Sequence, residues 1–197
     1  MNRRHFLAFA AASLAGLPAH AAAPQFDVLD SRQQRRRLAD FRGKAVVLEW
    51  TSASCPFVRA QYESGVMPEL QKWAAGQGVA WLCVVSTHPS RRDYLDPAKF
   101  ESLHRARGAA PAAVLFDADG KMGRAYGAVV TPHMFIISPK GDVVYSGAIS
   151  DNPTMSAAQA RTSRNYVRAA LEDVLAGRKV STASTRPFGC AIAYSGD

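Results

Sequence analysis

The sequence predicts an α/β protein in which helices cover a mixed sheet. Two mostly apolar runs, Lys44 to Thr51 and Val79 to Ser86, have the composition of strands buried on both faces. A helical pattern from Phe57 to Ala75 lies between them, and strand, helix, strand in that order implies parallel pairing through a right-handed crossover. Further along, Val129 to Ile137 and Val143 to Ser146 flank the turn Pro139-Lys140-Gly141-Asp142 and read as an antiparallel hairpin.

The first element is a targeting segment rather than part of the fold. Met1 to Leu7 carries Arg3 and Arg4, a short apolar stretch follows to Leu17, and Ala19-His20-Ala21 has the small residues of a cleavage site. The apolar stretch is too short to span a bilayer. Arg3-Arg4-x-Phe6-Leu7 resembles the twin-arginine export signal of bacteria, and an ordinary Sec signal with two arginines is the alternative. Cleavage after Ala21 leaves 176 residues, enough for one domain. The segments are then 1–21 signal peptide, 22–178 folded domain and 179–197 C-terminal tail. No later stretch is long and apolar enough to span a membrane, so the expected location is the periplasm, where disulfides persist.

Phe26 to Ala39 reads as a short strand or hairpin with a polar turn. After the Lys44 to Thr51 strand, Pro56 suits a first helical turn, because its missing N–H has no intrahelical partner anyway. Met67, Leu70 and Trp73 fall on one helical face, and Pro68 should kink or split the helix near Met67. Asp96 to Arg107 is a second helix with Asp96-Pro97 as cap and first turn. Ala112 to Phe116 is a short strand. Asp117-Ala118-Asp119-Gly120 is a turn leading into a helical piece that ends near Tyr126-Gly127. Asn165 to Ala176 is the last helix, with Val167, Leu171, Val174 and Leu175 on one face and Gly177 as its stop. Lys179 to Asp197 shows no periodicity.

The net charge of +8 falls to +6 without Arg3 and Arg4. Its densest run, Arg35-Arg36-Arg37, lacks interleaved aromatics, which favours a solvated hairpin turn over a nucleic-acid patch. The three cysteines are Cys55, Cys83 and Cys190, so one thiol must stay unpaired within a monomer. None has zinc-ligand spacing, there is no haem-attachment motif, and no metal or cofactor is expected.

Cys55 is the main candidate for chemistry. A strand followed by Thr51-Ser52-Ala53-Ser54 delivers it in an accessible turn to a helix N-terminus, where exposed N–H groups and the helix dipole favour thiolate. The second cysteine of a Cys-x-x-Cys motif would stand at Val58 and is absent. Glu49 is the second candidate. A carboxylate in an apolar strand needs a partner, and near the thiol it could take or relay a proton; alternatively it faces outward from a half-exposed strand. Thr131-Pro132 marks a strand entry or edge. Cys190, in Phe188-Gly189-Cys190, sits on a tail that could reach Cys55, or is an unpaired thiol near a chain end. A Cys55–Cys190 bridge would contribute on the order of 5 kcal/mol by constraining the unfolded chain. Cys83, between Leu82 and Val84, reads as an inert core residue.

Val46-Val47-Leu48-Glu49-Trp50, Cys55-Pro56-Phe57-Val58 and Thr131-Pro132-His133-Met134-Phe135 together resemble the thioredoxin-like superfamily, in its redoxin branch of alkyl hydroperoxide reductase and thiol-specific antioxidant proteins. Tyr145-Ser146-Gly147-Ala148 and Phe188-Gly189-Cys190 are similar to an exported form of that branch. The resemblance implies a three-layer α/β/α fold around a mixed four- or five-stranded sheet. It implies that Pro132 is cis and packs beside Cys55, that the Thr131 backbone is available to substrate, and that Glu49 matches the buried acid of thioredoxins. Ser52 and Pro56 complete the expected substrate-binding set. Two departures stand out: Val58 rules out Cys-x-x-Cys exchange, and Leu48 and Ser52 replace the proline and threonine of the usual peroxiredoxin pattern.

The expected function is an exported thiol-dependent oxidoreductase. Cys55 attacks a protein disulfide or a peroxide, Cys190 resolves the product, and an external thiol reductant resets the pair. The alternative is a non-catalytic thioredoxin-fold module that binds a protein, or a soft metal through Cys55, Cys190 and His133.

Overall fold

The computed structural model describes residues 21–194. Seven strands form one sheet in the order β2-β1-β5-β4-β3-β7-β8. They are β1 (Asp27–Asp30), β2 (Arg35–Arg37), β3 (Val46–Trp50), β4 (Ala80–Val85), β5 (Ala113–Phe116), β7 (His133–Ile137) and β8 (Val143–Gly147). A separate two-stranded sheet pairs β6 (Val130–Thr131) with β9 (Cys190–Ala191). The helices are α1 (Pro56–Glu63), α2 (Val66–Gly76), α3 (Pro97–Ala106), α4 (Lys121–Tyr126), α5 (Ala157–Thr162) and α6 (Tyr166–Leu175).

The apolar runs become the sheet centre. Every residue of β3 and β4 is buried, and the two strands pair in parallel from Val46 against Ala80 to Trp50 against Val84. The pleat sends alternate residues into two cores. On one face Val47, Cys83, Val114 and Ile136 pack against Val58 and Tyr62 of α1, Met67 and Leu70 of α2, Phe100 of α3 and Leu171 of α6. On the other, Leu48, Trp50, Leu82 and Phe135 pack against Met122 and Tyr126 at α4. The result is the three-layer α/β/α arrangement.

The sheet is wider than the four or five strands expected. The five strands from β5 to β8 match that number. The extra two are the β1–β2 hairpin, which pairs antiparallel onto β5 through Leu29 and Asp30. The arginine run forms its edge strand: Arg35 and Arg37 pair with Asp27, and Arg36 pairs with Asp30. Two aspartates of its own hairpin thus offset most of the charge of the three arginines.

The long helix is split, two residues before the expected place. Gly65, at φ +79°, separates α1 from α2. Pro68 falls within the first turn of α2, where no intrahelical N–H bond is lost. Asp96 caps α3 by accepting from the Lys99 amide at 2.9 Å. Helix α5 and strand β9 lie in stretches the sequence pattern left unassigned. The leader expected at 1–21 falls, all but Ala21, outside the described residues. Among the described residues, no helix is long and apolar enough to cross a membrane.

Candidate active site

Strand β3 ends at Trp50, and the short link through Ser54 carries the chain to Cys55, the residue preceding α1. Pro56 then opens the helix. From the other side, β7 cannot extend backwards through Pro132, which has no N–H to donate. The Thr131–Pro132 peptide is cis, as the resemblance implies. Thr131 and Val130 leave the main sheet, and their free edge is taken by the tail, with Thr131 opposite Cys190 and Val130 opposite Ala191.

This pairing brings the two candidate cysteines together. The Cys55 thiol donates to the Thr131 carbonyl at 2.9 Å. Cys190 adjoins Cys55 and the Phe57 backbone in the first turn of α1. Burial, and next the adjoining Cys55, push the Cys190 thiol up to about 12. Both cysteines are free thiols. Cys55 is only 1% exposed, although the polar turn before it suggested an accessible residue. The correction comes from the tail: Phe188 and Cys190 pack against the core cluster that holds Cys55.

Gly189 makes that close approach possible. Its φ is +145°, and a Cβ there would collide with the Thr131 carbonyl. A recess of about 60 Å³ is lined by Thr51, Ser52, Ser54, Arg91, Asp93, Thr131 and Cys190, and Cys55 lies behind that lining, bonded to the Thr131 carbonyl. The hydroxyls of Thr51 and Thr131 are buried without a partner. Orphan hydroxyls of this kind favour entry of a small polar molecule.

Glu49 lies within β3. It is fully buried, which excludes the outward-facing alternative. Its carboxylate accepts from Trp81 Nε1 at 2.8 Å, Tyr62 Oη at 3.0 Å, Gln71 Nε2 at 3.1 Å and Cys83 Sγ at 3.4 Å. No hydrogen bond joins it to Cys55 among the described residues. Burial raises its pKa, and the four donors oppose that rise. Cys83, expected to be inert, is the thiol that Glu49 touches; burial and then the Glu49 charge raise it well above its ordinary value. His133, the third member of the soft-metal alternative, directs Nδ1 to the Val129 amide at 3.3 Å.

Sequence reasoning missed Gly189, the Tyr62–Gln71–Trp81 donors around Glu49, and Tyr194. Tyr194 lays its ring over Gly120 and Gly123, and its hydroxyl donates to the Ala128 carbonyl at 2.6 Å. A glycine directly before the tail cysteine was the one signal that pointed to close backbone approach.

The model of the AhpC/TSA family matches residues 19–146. Among solved structures, the chain is similar to a hypothetical protein from Sinorhizobium meliloti (24% identity, TM-score 0.79, covering 93% of this chain and 98% of that one). It is also similar to a putative thiol:disulfide interchange protein DsbE from Chlorobium tepidum (22% identity, TM-score 0.54, 66% of this chain and 84% of that one). A third likeness is to an exposed lipoprotein thioredoxin from Streptococcus pneumoniae (25% identity, TM-score 0.50, 62% of this chain and 87% of that one). No curated protein matches the sequence. The fold is thioredoxin-like.

Proposed function

The chain belongs to the AhpC/TSA family, and from that premise we propose that it is an exported thiol-dependent oxidoreductase with Cys55 as nucleophile and Cys190 as resolving cysteine. The observation that carries this reading is the β6–β9 pairing, which sets Cys190 against Cys55 in the reduced protein. The charged and apolar leader at 1–21 supports export to the periplasm, as does the likeness to an exposed lipoprotein thioredoxin. Residues 22–178 then form the thioredoxin-like domain and 179–197 the tail that bears the resolving thiol.

With a peroxide, the Cys55 thiolate attacks one oxygen, the O–O bond breaks, and an alcohol or water leaves. Cys55 is left as a sulfenic acid. Cys190 then gives up its proton and attacks that sulfur as thiolate. Its proton leaves with the hydroxide as water, and the Cys55–Cys190 disulfide forms. With a disulfide substrate, Cys55 forms a mixed disulfide and releases one thiolate, and Cys190 displaces the other. An external dithiol is oxidised to return both cysteines to thiols. The recess lined by Thr51, Ser52, Thr131 and Cys190 has room for a molecule the size of hydrogen peroxide, and such an oxidant would still have to pass Thr131 to meet Cys55. Pro56 and Pro132 hold the backbone on either side of Cys55. Glu49 acts at a distance, by fixing α1 through Tyr62.

Thiol trapping with mass spectrometry, before and after one equivalent of peroxide, tests the assignment. The expected product is a Cys55–Cys190 crosslink in the wild type and a persistent sulfenic acid at Cys55 in Cys190→Ser. Trapped sulfenic acid in the wild type, with Cys190 still alkylatable, would overturn the resolving role. Comparing turnover of peroxide and of a reducible protein disulfide identifies the substrate.

A further inference from the structure

The β6 edge is only two residues long, and the tail holds it through backbone groups alone: the Thr131–Cys190 and Val130–Ala191 pairs, then the Ile192 amide to the Val129 carbonyl at 3.0 Å. Any extended segment can make such bonds, so backbone pairing carries affinity and flanking side chains carry selectivity. Two aromatic residues flank the pairing. Phe188 packs on Phe57 with ring centroids 5.9 Å apart. Tyr194 lies in a notch that exists because positions 120 and 123 are glycines, since a Cβ at either would run into its ring. Arg124 covers that ring with its guanidinium 4.6 Å from the centroid. Between the aromatics, the cysteine needs a glycine before it to pass the Thr131 carbonyl.

Upstream, the tail is fastened differently. The Thr185 amide donates to the Ser146 carbonyl while the Ser146 amide donates to the Ala183 carbonyl, and the Thr185 hydroxyl meets Tyr145 Oη at 2.8 Å and the Ala148 amide at 2.9 Å. Pro187 follows. The part beyond Pro187 forms a strap across Thr131, anchored upstream at Thr185.

We propose that Phe188–Tyr194 is an internal stand-in for an extended cysteine-bearing peptide. The partner this edge takes carries an aromatic residue two positions before its cysteine, glycine immediately before it, and a second aromatic four positions after it. The proposal rests on the reading of Cys55 as nucleophile. In the resting protein the strap excludes such a partner, and a partner enters by displacing it.

The test uses the mature chain with Cys190→Ser, which keeps the strap but removes its thiol, and the same chain with Gly189→Val added, which forces the strap off Thr131. The probe is a synthetic peptide with the sequence Thr185–Tyr194, its cysteine joined by a disulfide to 5-thio-2-nitrobenzoate. The Cys55 thiolate attacks the peptide sulfur, that S–S bond breaks, a Cys55–peptide disulfide forms, and the coloured thiolate leaves. Expected is a rate at least about tenfold higher in the strap-displaced chain, and a loss of about tenfold when both probe aromatics are alanine. Equal rates in the two chains, or indifference to the aromatics, overturn the proposal. Should Gly189→Val fail to fold by circular dichroism, Tyr194→Ala in the Cys190→Ser chain frees the strap from its far end, and the same gain is required of it. A Cys55 that does not react even with the free aryl disulfide in the strap-displaced chain refutes the nucleophile itself, a result separate from peptide selectivity.

Discussion

His104 is buried with both ring nitrogens unpartnered. Burial, and next the Arg107 charge, lower its pKa to about 4, with Glu101 opposing. The unfolded chain takes up this proton near pH 6.5 and the folded chain only near 4, so the protein loses stability as pH falls through that window. His104→Leu should flatten the dependence between pH 6.5 and 4 by on the order of 3 kcal/mol in urea titrations. His133, lowered to about 4 by burial, keeps its own share in that variant. At Glu49 the effect is loss of an acceptor. Glu49→Leu strands the donors of Trp81, Tyr62 and Gln71, and should lower the unfolding free energy by about 3 kcal/mol at pH 7. The candidate nucleophile and its proline were legible in the sequence because each has a marked local setting: Cys55 between a strand and Pro56, Pro132 between two apolar runs. The partners of Glu49 were not, since Tyr62, Gln71 and Trp81 reach it from three elements and no spacing connects them.

The strands other than β9, and the helical stretches that hold every helix but α5, follow from runs of apolar residues and from caps that the sequence displays. Helix α5 does not, because a six-residue helix has too few turns to show a period. Its start is marked only by Ser156, which accepts from the Gln159 amide, and it is held by Arg161, which donates to the Ser64 carbonyl at 2.7 Å. Strand β9 is shorter still, and its two residues pair because the β6 edge is free, not because their composition favours a strand. The break between α1 and α2 depends on backbone freedom at Gly65. Gly65→Ala places a Cβ in the left-handed region, 3.2 Å from Glu69 Oε1, and should cost about 1 kcal/mol or more of stability, read as a lower thermal midpoint with unchanged α/β content.

Across the whole molecule the α/β/α layering was legible because two buried strands around a helix leave few topologies. The tail's route was not, since its contacts join residues far apart in sequence. In the proposed reaction, oxidation would convert that route into a covalent link. The oxidised protein should resist urea more strongly than the reduced one, by on the order of 5 kcal/mol at most, and Cys190→Ser should show no such redox dependence. Pinning at Thr185, described above for the strap, has a kinetic meaning as well. Cys190 lies three residues beyond Pro187, so a lifted strap still confines its sulfur to a radius of roughly 10 Å about that proline. A thiol on so short a leash has a local concentration that dissolved thiols do not reach. Under that proposal a Cys55 adduct should be resolved from within before a small thiol in solution intercepts it, which would keep the exchange committed to the internal disulfide.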